Sequence, residues 1–333
     1  MDKTNQNKKE HVLPSYITLP QSLFASQQIK QSDGVDLSEL WKAVWSGKLT
    51  IVIFSILFAI ISVFYALSQP NIYKASVLLA PASSENSGAG LAGLAGQFGG
   101  LASLAGINLG GNGGDNTTLA LEVIKSRSFI EAFIDKYDLL IPIMAVRDWN
   151  MEIDELIIDK NVYDVENNKW VRDVAYPRKT IPTSWEAYKA FSKLLTISQE
   201  KSTGMITIEL DYFSPEIAKL WLTNLIKEIN YYIKELDQKE AQNSIDYLTK
   251  KLNEVNINNL QTVFYQLIEE QSKNIMLTQV KEEYVLKTVD PAQVPEEKDR
   301  PKRALIVILG TMFGGGLSLF FVLVHYFTIK HKN

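Results

Sequence analysis

The chain has 333 residues, which is enough for one large domain or two small ones. Its net charge of −4 argues against a nucleic-acid-binding protein, which usually carries a basic surplus. It contains no cysteine, which excludes disulfides, thiolate nucleophiles and cysteine metal sites, and none of its three histidines lies between Ser68 and Arg303.

Residues 1–35 are polar and show no hydrophobic period, so we expect a flexible head. Asp36 and Glu39 have the spacing of an N-cap and its reciprocal carboxylate, which predicts the start of a short helix. Two tryptophans and two lysines follow before the first long apolar stretch: Trp41, Lys42, Trp45 and Lys48. Such residues are typical of a membrane–water interface.

Residues 49–67 carry no charge and form that first apolar stretch. At about 1.5 Å per residue, a helix of this length crosses the hydrocarbon core of a bilayer, which is about 30 Å thick. A signal peptide is the alternative. However, residues 1–48 are too long for its n-region, and the apolar core exceeds the usual ~7–15 residues. We therefore expect an uncleaved transmembrane helix.

Residues 71–81 are apolar and β-branched, which predicts a strand close to the membrane. The next segment, 83–116, is a loop rich in glycine and leucine. Within it, Gly88-Ala89-Gly90-Leu91-Ala92-Gly93 formally matches the dinucleotide-binding fingerprint. Because glycines continue beyond the motif and no amphipathic helix starts there, we attribute the match to composition. The loop either is a spacer or contacts lipid, a neighbouring subunit or a membrane partner.

Residues 117–138 have apolar side chains at helical spacing, which predicts a helix, whereas residues 140–180 are mixed. Thr183-Ser184-Trp185-Glu186 is a capping box that predicts a second helix, to about residue 195. Residues 195–199 and 205–212 alternate as two strands around a short turn.

A very long helix is predicted over 214–256, where it would span about 63 Å. It opens at Ser214, Pro215 and Glu216, which supply a hydroxyl N-cap, a proline at the first helical position and a carboxylate near the positive end of the helix dipole. Its narrow apolar stripe is typical of a coiled-coil contact, either within the chain or between subunits. We expect a break at 256–259, a returning helix at 260–280 and a strand at 284–288.

The segment 290–303 contains Pro291, Pro295 and Pro301. Proline lacks an N–H and disfavours helix at the residue before it, so we expect an extended, stiff strut.

Residues 304–324 form a second uncharged stretch of spanning length. A buried helix of a large soluble domain is the alternative. Gly310, Gly314, Gly315 and Gly316 lie in its first half, and Gly310 to Gly314 is a GxxxG motif. These glycines either form a helix–helix contact face or reflect the general frequency of glycine in membrane helices.

Two spans near the ends place both termini on one side of a membrane. The charges flanking the first span favour a cytoplasmic N-terminus, and those flanking the second favour the opposite; the first span usually dominates. We expect a cytoplasmic head (1–48), a domain on the opposite side of the membrane (68–303), which is the periplasm if the source is a Gram-negative bacterium, and a cytoplasmic tail (325–333). The predicted fold class is an α+β periplasmic domain, with a small mixed sheet near the membrane and the very long helix, carried by two transmembrane helices.

No catalytic constellation is visible, because the sequence has no Walker-type phosphate loop, no HExxH and no GxSxG motif. The carboxylate pairs Glu269/Glu270 and Glu282/Glu283 would point to different faces of a helix, so we interpret them as solvated charge. We therefore expect a protein that is not an enzyme and that has no catalytic residues, cofactor or metal site.

These features together resemble the Wzz chain-length determinants, the class 1 polysaccharide co-polymerases, over roughly residues 36–330. The resemblance is carried by Pro291-Ala292-Gln293-Val294-Pro295, by Arg300-Pro301-Lys302-Arg303-Ala304-Leu305-Ile306-Val307, by Leu309-Gly310 and Gly314-Gly315, and by Ser214-Pro215-Glu216-Ile217-Ala218. The long head and the Gly/Leu-rich loop depart from the family pattern.

The resemblance implies a ring-shaped homo-oligomer that governs how far a Wzy-type polymerase extends an undecaprenyl-linked glycan such as O-antigen. It also implies membrane lipid as a partner and no catalytic residues. Such a ring acts as a ruler, as a polymerase scaffold or as a surface that holds the growing chain. Two alternatives remain: an exopolysaccharide or capsule export co-polymerase that activates a bacterial tyrosine kinase, and a two-span sensor or transporter-coupling subunit.

Overall fold

The computed structural model describes residues 37–82, 113–254 and 258–330, and it divides into two compact units. The first unit joins Met1–Ala59 with Thr311–Asn333, and the second is Ile60–Gly310. The predicted flexible head and the Gly88–Gly93 motif lie outside the described residues, so what was predicted for them stays a prediction.

The described residues form nine helices and nine strands. The helices are α1 (Leu37–Ser46), α2 (Lys48–Ser68), α3 (Gly113–Lys125), α4 (Arg127–Lys136), α5 (Leu140–Met144), α6 (Ser184–Leu194), α7 (Pro215–Leu252), α8 (Asn258–Val280) and α9 (Arg303–Lys330). The strands are β1 (Ile72–Pro81), β2 (Val146–Asn150), β3 (Glu155–Ile158), β4 (Tyr163–Asp164), β5 (Lys169–Trp170), β6 (Leu195–Gln199), β7 (Ile206–Tyr212), β8 (Leu286–Asp290) and β9 (Lys298–Arg300).

The main sheet has five strands, with β6, β7, β1 and β8 side by side and β9 paired to the start of β1. Every neighbouring pair is antiparallel, so the prediction of a mixed sheet is wrong. The short turn between β6 and β7, in which Gly204 has a φ of 71°, reverses the chain. The strand β7 pairs with one edge of β1, and the helices α7 and α8 then carry the chain to the opposite edge, where β8 pairs. The strands β7 and β8 therefore both run opposite to β1.

The core of the second unit lies between this sheet and the helices α4, α6 and α7. Side chains of a strand point alternately to two faces, and one face of β1 is buried through Ala75, Val77 and Leu79. The first half of α7 contributes fully buried side chains at helical spacing: Leu222, Leu225, Ile229 and Ile233. Each of these contributes about 1.5–3 kcal/mol by leaving water.

The helix α7 is 38 residues long and starts as predicted. The hydroxyl of Ser214 accepts a hydrogen bond from the backbone N–H of Ile217 at 3.4 Å, and Pro215 is the first helical residue. The helix ends at Leu252, earlier than the predicted residue 256. Its second half packs against α8, where Gln238 Nε2 donates to Thr278 Oγ1 at 2.7 Å. The apolar stripe therefore makes a contact within the chain.

The region 113–180 differs most from the prediction. The single helix expected over 117–138 is two helices, because the Ser126 hydroxyl accepts from the N–H of Phe129 at 3.4 Å and starts α4. The end of the predicted loop 83–116 is helical from Gly113 onward. The mixed stretch after residue 140 contains α5 and two antiparallel hairpins, β2 with β3 and β4 with β5.

Two boundaries near the C-terminus also shift. The helix α8 begins at Asn258, inside the predicted break at 256–259. The helix α9 continues to Lys330, so most of the predicted tail 325–333 is helical, since no glycine or proline follows Gly316 to end it.

Candidate functional site at the two spans

The described residues contain no group of three or more histidine, aspartate or glutamate side chains that could hold a metal ion. The carboxylate pairs singled out in the sequence lie on or near α8, and Glu269, Glu282 and Glu283 are exposed. The described surfaces therefore offer no assembled chemistry at these pairs. The predicted site residues instead direct attention to the helices α2 and α9.

By length and composition, both of these helices can cross a membrane. The segments Lys48–Ser68 and Arg303–Ile329 have mean hydropathies of 2.6 and 2.2. Their side chains are mostly exposed, which distinguishes them from core helices of a soluble domain. A helix of 21 residues is about 32 Å long, close to the thickness of a bilayer's hydrocarbon core.

In the second unit, Gly310 of α9 lies directly against Ser62 of α2. A Cβ atom added at Gly310 would lie 2.8 Å from Ser62 Cβ and closer still to its hydroxyl oxygen. Real Cβ atoms essentially never approach another atom so closely. Glycine at this position therefore lets the two backbones approach, as small residues do between membrane helices.

In the first unit, Gly314 and Gly315 also face α2. A Cβ at Gly314 would lie 2.6 Å from Cγ of Phe58, and one at Gly315 would lie 3.2 Å from Oγ of Ser55. At Gly316, by contrast, a Cβ would meet nothing within 4 Å. Of the four clustered glycines, Gly310, Gly314 and Gly315 thus face the other span of the same chain, whereas Gly316 does not.

The proline segment carries a strand that the sequence analysis missed. Ile72 and Tyr73 at the start of β1 pair with Arg300 and Lys298 of β9. The helix α2 ends shortly before Ile72, and α9 begins shortly after Arg300. The strand pairing therefore holds the end of one span beside the start of the other, and the predicted strut is partly a sheet strand.

The prolines themselves differ in exposure. Pro291 is exposed, whereas Pro295 and Pro301 are half-buried and flank β9. Because proline has no N–H, the backbone donors between them belong to residues 296–300, and of these Lys298–Arg300 form the strand.

Arg303, the first residue of α9, binds the end of α2. Its Nε donates to the carbonyl oxygen of Ala66 at 3.1 Å, and its guanidinium donates to Asn71 Oδ1 at 3.1 Å. The last carbonyl groups of a helix lack partners within it, and a positive charge there is favourable because it faces the negative end of the helix dipole. The sequence analysis treated Arg303 only as a flanking charge, and no local signal identifies its partners.

Charged side chains tie the three strands at this end of the sheet together. Lys74 of β1 contacts Glu209 of β7 at 3.2 Å and Asp299 of β9 at 3.8 Å, while Arg300 pairs with Asp211. Burial raises the pKa of Asp211, and the positive charges of Arg300 and Lys74 oppose that shift. The hydrogen bond to Glu209 raises the pKa of Lys74.

Asp211 is the most enclosed member of this cluster, with 7% of its surface exposed. Its Oδ2 pairs with Arg300, while its Oδ1 is buried without a hydrogen-bond partner among the described residues. The Arg300 side chain is 57% exposed, so solvent screens the pair, and its contribution is well below that of a fully buried ion pair. The pair nevertheless links β9 to β7 across β1.

Part of the chain is similar to a known protein family. Residues 33–137 match the family model of Wzz, described as chain length determinant protein. Residues 33–137 therefore form a segment that is similar to the Wzz family. The match confirms the resemblance drawn from the sequence. It covers α1, α2, β1, α3 and α4, which include the first span and the strand to which β9 pairs.

A second family model matches a later part of the chain. Residues 252–327 match GNVR, described as "G-rich domain on putative tyrosine kinase". This range contains all six predicted site residues: Pro291, Pro295, Pro301, Gly310, Gly314 and Gly315.

Two solved structures are similar to the chain at low identity. A full-length bacterial polysaccharide co-polymerase is 14% identical, with 90% of this chain and 99% of that chain covered and a TM-score of 0.40. A fragment of WzzB, a polysaccharide co-polymerase from Salmonella Typhimurium, is 14% identical, with coverages of 69% and 100% and a TM-score of 0.30. At these TM-scores, the likenesses carry no argument. No curated protein sequence matches the chain.

Proposed function

We propose that this protein regulates the length of a polysaccharide as a non-catalytic, oligomeric scaffold in the bacterial inner membrane. It acts with a Wzy-type polymerase on an undecaprenyl-linked glycan such as the O-antigen of lipopolysaccharide. The observation that carries the proposal is the match of residues 33–137 to the chain length determinant family. The two apolar helices, whose adjoining ends are tied by β1, β9 and Arg303, support it.

The proposed topology places both termini in the cytoplasm and residues 68–303 in the periplasm. The absence of cysteine allows a direct test, since a single introduced cysteine is the only thiol in the chain. Tyr176 is 96% exposed, so Tyr176→Cys presents an accessible thiol. We expect a membrane-impermeant maleimide to label Tyr176→Cys in spheroplasts and to label Ser26→Cys, in the head, only after lysis. Labelling in the opposite order would contradict the topology.

The function is tested by deleting the gene in the native host and separating the glycans by gel electrophoresis. We expect the length distribution to broaden while polymer is still made, because the scaffold sets length and does not form bonds. Re-expression of the wild-type chain should restore the original banding. Complete loss of polymer would instead indicate a polymerase or an exporter and would contradict the proposal.

The hairpin of α7 and α8 provides the surface for self-association. It leaves large apolar side chains exposed, among them Met276 and Val280, which are 67% and 83% exposed. Contiguous exposed apolar surface marks contact sites. We expect the double variant Met276→Glu/Val280→Glu to lower the oligomeric state seen by chemical cross-linking in membranes. Lys273→Glu, an exposed charge change on the same helix, should leave that state unchanged. Unaltered cross-linking in the double variant would contradict this assignment.

The GNVR match favours a second candidate function, that of an exopolysaccharide or capsule export co-polymerase that activates a bacterial tyrosine kinase. The two functions differ in which polymer responds to deletion. Loss of capsule or exopolysaccharide with unchanged lipopolysaccharide banding would support the second function. Co-purification of a kinase with the full chain, and a fall in its tyrosine phosphorylation after deletion, would support it further.

A further inference from the structure

The helix α1, in the first unit, has one buried face and one exposed aromatic face. Ala43 is fully buried, and a Cβ added at Gly47, just after the helix, would lie 3.1 Å from Cβ of Val322. On the other face, Trp41 and Trp45 are 68% and 60% exposed. Their rings stack with centroids 6.3 Å apart and an interplanar angle of 25°. Among the described residues of this unit, these two indoles therefore stay largely uncovered.

Cationic groups border this surface. The Lys48 ammonium lies 4.5 Å from the centroid of the Trp45 ring. An open cavity of about 410 Å³ is lined by Trp41, Lys42, Trp45 and Ser46. The Ser46 hydroxyl donates its hydrogen to the Ala43 carbonyl at 2.8 Å, so the lysine ammonium groups and the indole N–H groups are the donors left for a ligand. The site therefore combines a broad aromatic face with two ammonium groups, which suits an anion that has an apolar part.

The position of α1 in the chain identifies that anion. The helix ends two residues before the first apolar helix begins, so its exposed face lies at the level where that helix meets water. Tryptophan favours this level of a bilayer, and phospholipid phosphates lie there too. A zwitterionic headgroup would add an ammonium group that both lysines repel, whereas an anionic headgroup would not.

We propose that Trp41, Lys42, Trp45 and Lys48 bind one anionic glycerophospholipid. The two ammonium groups bind its phosphate, and the stacked indoles cover the glycerol and the first acyl carbons. The assignment concerns the lipid around the first span and is independent of which polysaccharide the protein regulates.

The test uses the full chain in nanodiscs made from equal parts of phosphatidylglycerol and phosphatidylcholine, with retained lipids counted by native mass spectrometry. The wild-type protein should retain phosphatidylglycerol in preference to phosphatidylcholine. Each lysine near an anionic lipid surface strengthens binding about fivefold, so Lys42→Gln/Lys48→Gln should lower the preference by roughly 30-fold. Circular dichroism should show the wild-type helix content, so that a folding defect is separated from a lost site.

The chain offers a matched control in the second unit. Lys189 lies 3.8 Å from the ring centroid of the half-exposed Trp185, the same pairing of cation and indole away from the ends of the apolar helices. Lys189→Gln should keep the full preference for phosphatidylglycerol. Equal losses in the two variants, or an unchanged preference in Lys42→Gln/Lys48→Gln, would overturn the proposal. Displacement of the lipid by millimolar inorganic phosphate would also overturn it, because a simple anion site needs no indoles.

Discussion

Replacing Gly310 or Gly314 by alanine should separate the two spans. Carbon atoms in van der Waals contact lie about 3.5–4.0 Å apart. The new Cβ would lie 2.8 Å from Ser62 Cβ in the first case and 2.6 Å from Phe58 Cγ in the second. Ser62 Cβ and Phe58 Cβ, which lies even closer to the new atom than Phe58 Cγ does, keep their positions when the side-chain rotamer changes, so such a change alone does not remove the overlap. Overpacking of this kind costs about 1–3 kcal/mol for each substitution.

Gly316→Ala is the matched control, since a Cβ there meets nothing within 4 Å. The measurement is unfolding of the full chain by SDS in mixed micelles, followed by circular dichroism. Gly310→Ala should unfold at a lower SDS fraction than Gly316→Ala. The double variant Gly310→Ala/Ser62→Gly should recover much of the loss, because it removes the atoms that the new methyl group meets. Equal unfolding of Gly310→Ala and Gly316→Ala would refute the close approach of the spans.

The same variants connect the spans to the proposed function. If the distance between the spans matters for length control, Gly310→Ala and Gly314→Ala should shift the glycan length distribution while the protein stays in the membrane. Gly316→Ala should give the wild-type banding. Wild-type banding in all three variants would show that length control does not depend on the helix contact. It would not contradict the close approach of the two helices.

Three further predictions concern polar groups in the second unit, all measured by the same unfolding assay on the full chain. Arg303→Gln should lower stability by about 1.5–3 kcal/mol, because charged hydrogen bonds to α2 are lost, whereas Lys302→Gln, an exposed neighbour, should not. Asn230→Leu should lower it by more than about 3 kcal/mol, because the buried Asn230 amide bonds the backbone N–H groups of Val285 and Leu286 and the carbonyl of Leu286. Desolvation raises the pKa of the Asp237 carboxyl above its value in the unfolded chain. The protonated carboxyl therefore contributes stability below about pH 4, and this contribution is lost as the pH rises through the raised pKa. Asp237→Asn should therefore lose less stability than the wild type between pH 4 and pH 7, and an identical pH profile would contradict this. Unfolding of Arg303→Gln or Asn230→Leu at the wild-type SDS fraction would contradict the corresponding contact.

Local signals in the sequence predicted the elements whose causes are local. The capping box at Thr183 and Glu186 forms as predicted, with the Thr183 hydroxyl accepting from the N–H of Glu186 at 3.3 Å. The start of α7 at Ser214 follows from the same chemistry. The two apolar helices were predicted from length alone, because no packing partner is needed to recognise a run of uncharged residues.

Elements that depend on distant partners were not predicted. The strand β9 consists of Lys298, Asp299 and Arg300, which have no β propensity, and it forms because it pairs with β1 and its charges meet those of neighbouring strands. The sequence analysis did not predict a role for the buried Asn230, although a polar residue within the apolar stripe of α7 is unusual. Its role requires the backbone at Leu286, which the local sequence does not specify.

The central position of β1 has a consequence for biogenesis. This strand follows the first apolar helix almost at once, yet its partners β7, β8 and β9 are synthesised much later. Both of its edges therefore stay unpaired while most of the chain is still being made, and unpaired edges are prone to mispairing. Its contacts are also among the most distant in the chain, so the sheet should close slowly. The edge that pairs with β7 can close once Tyr212 has been made, whereas the opposite edge stays open until β8 and β9 have followed, more than 200 residues after β1.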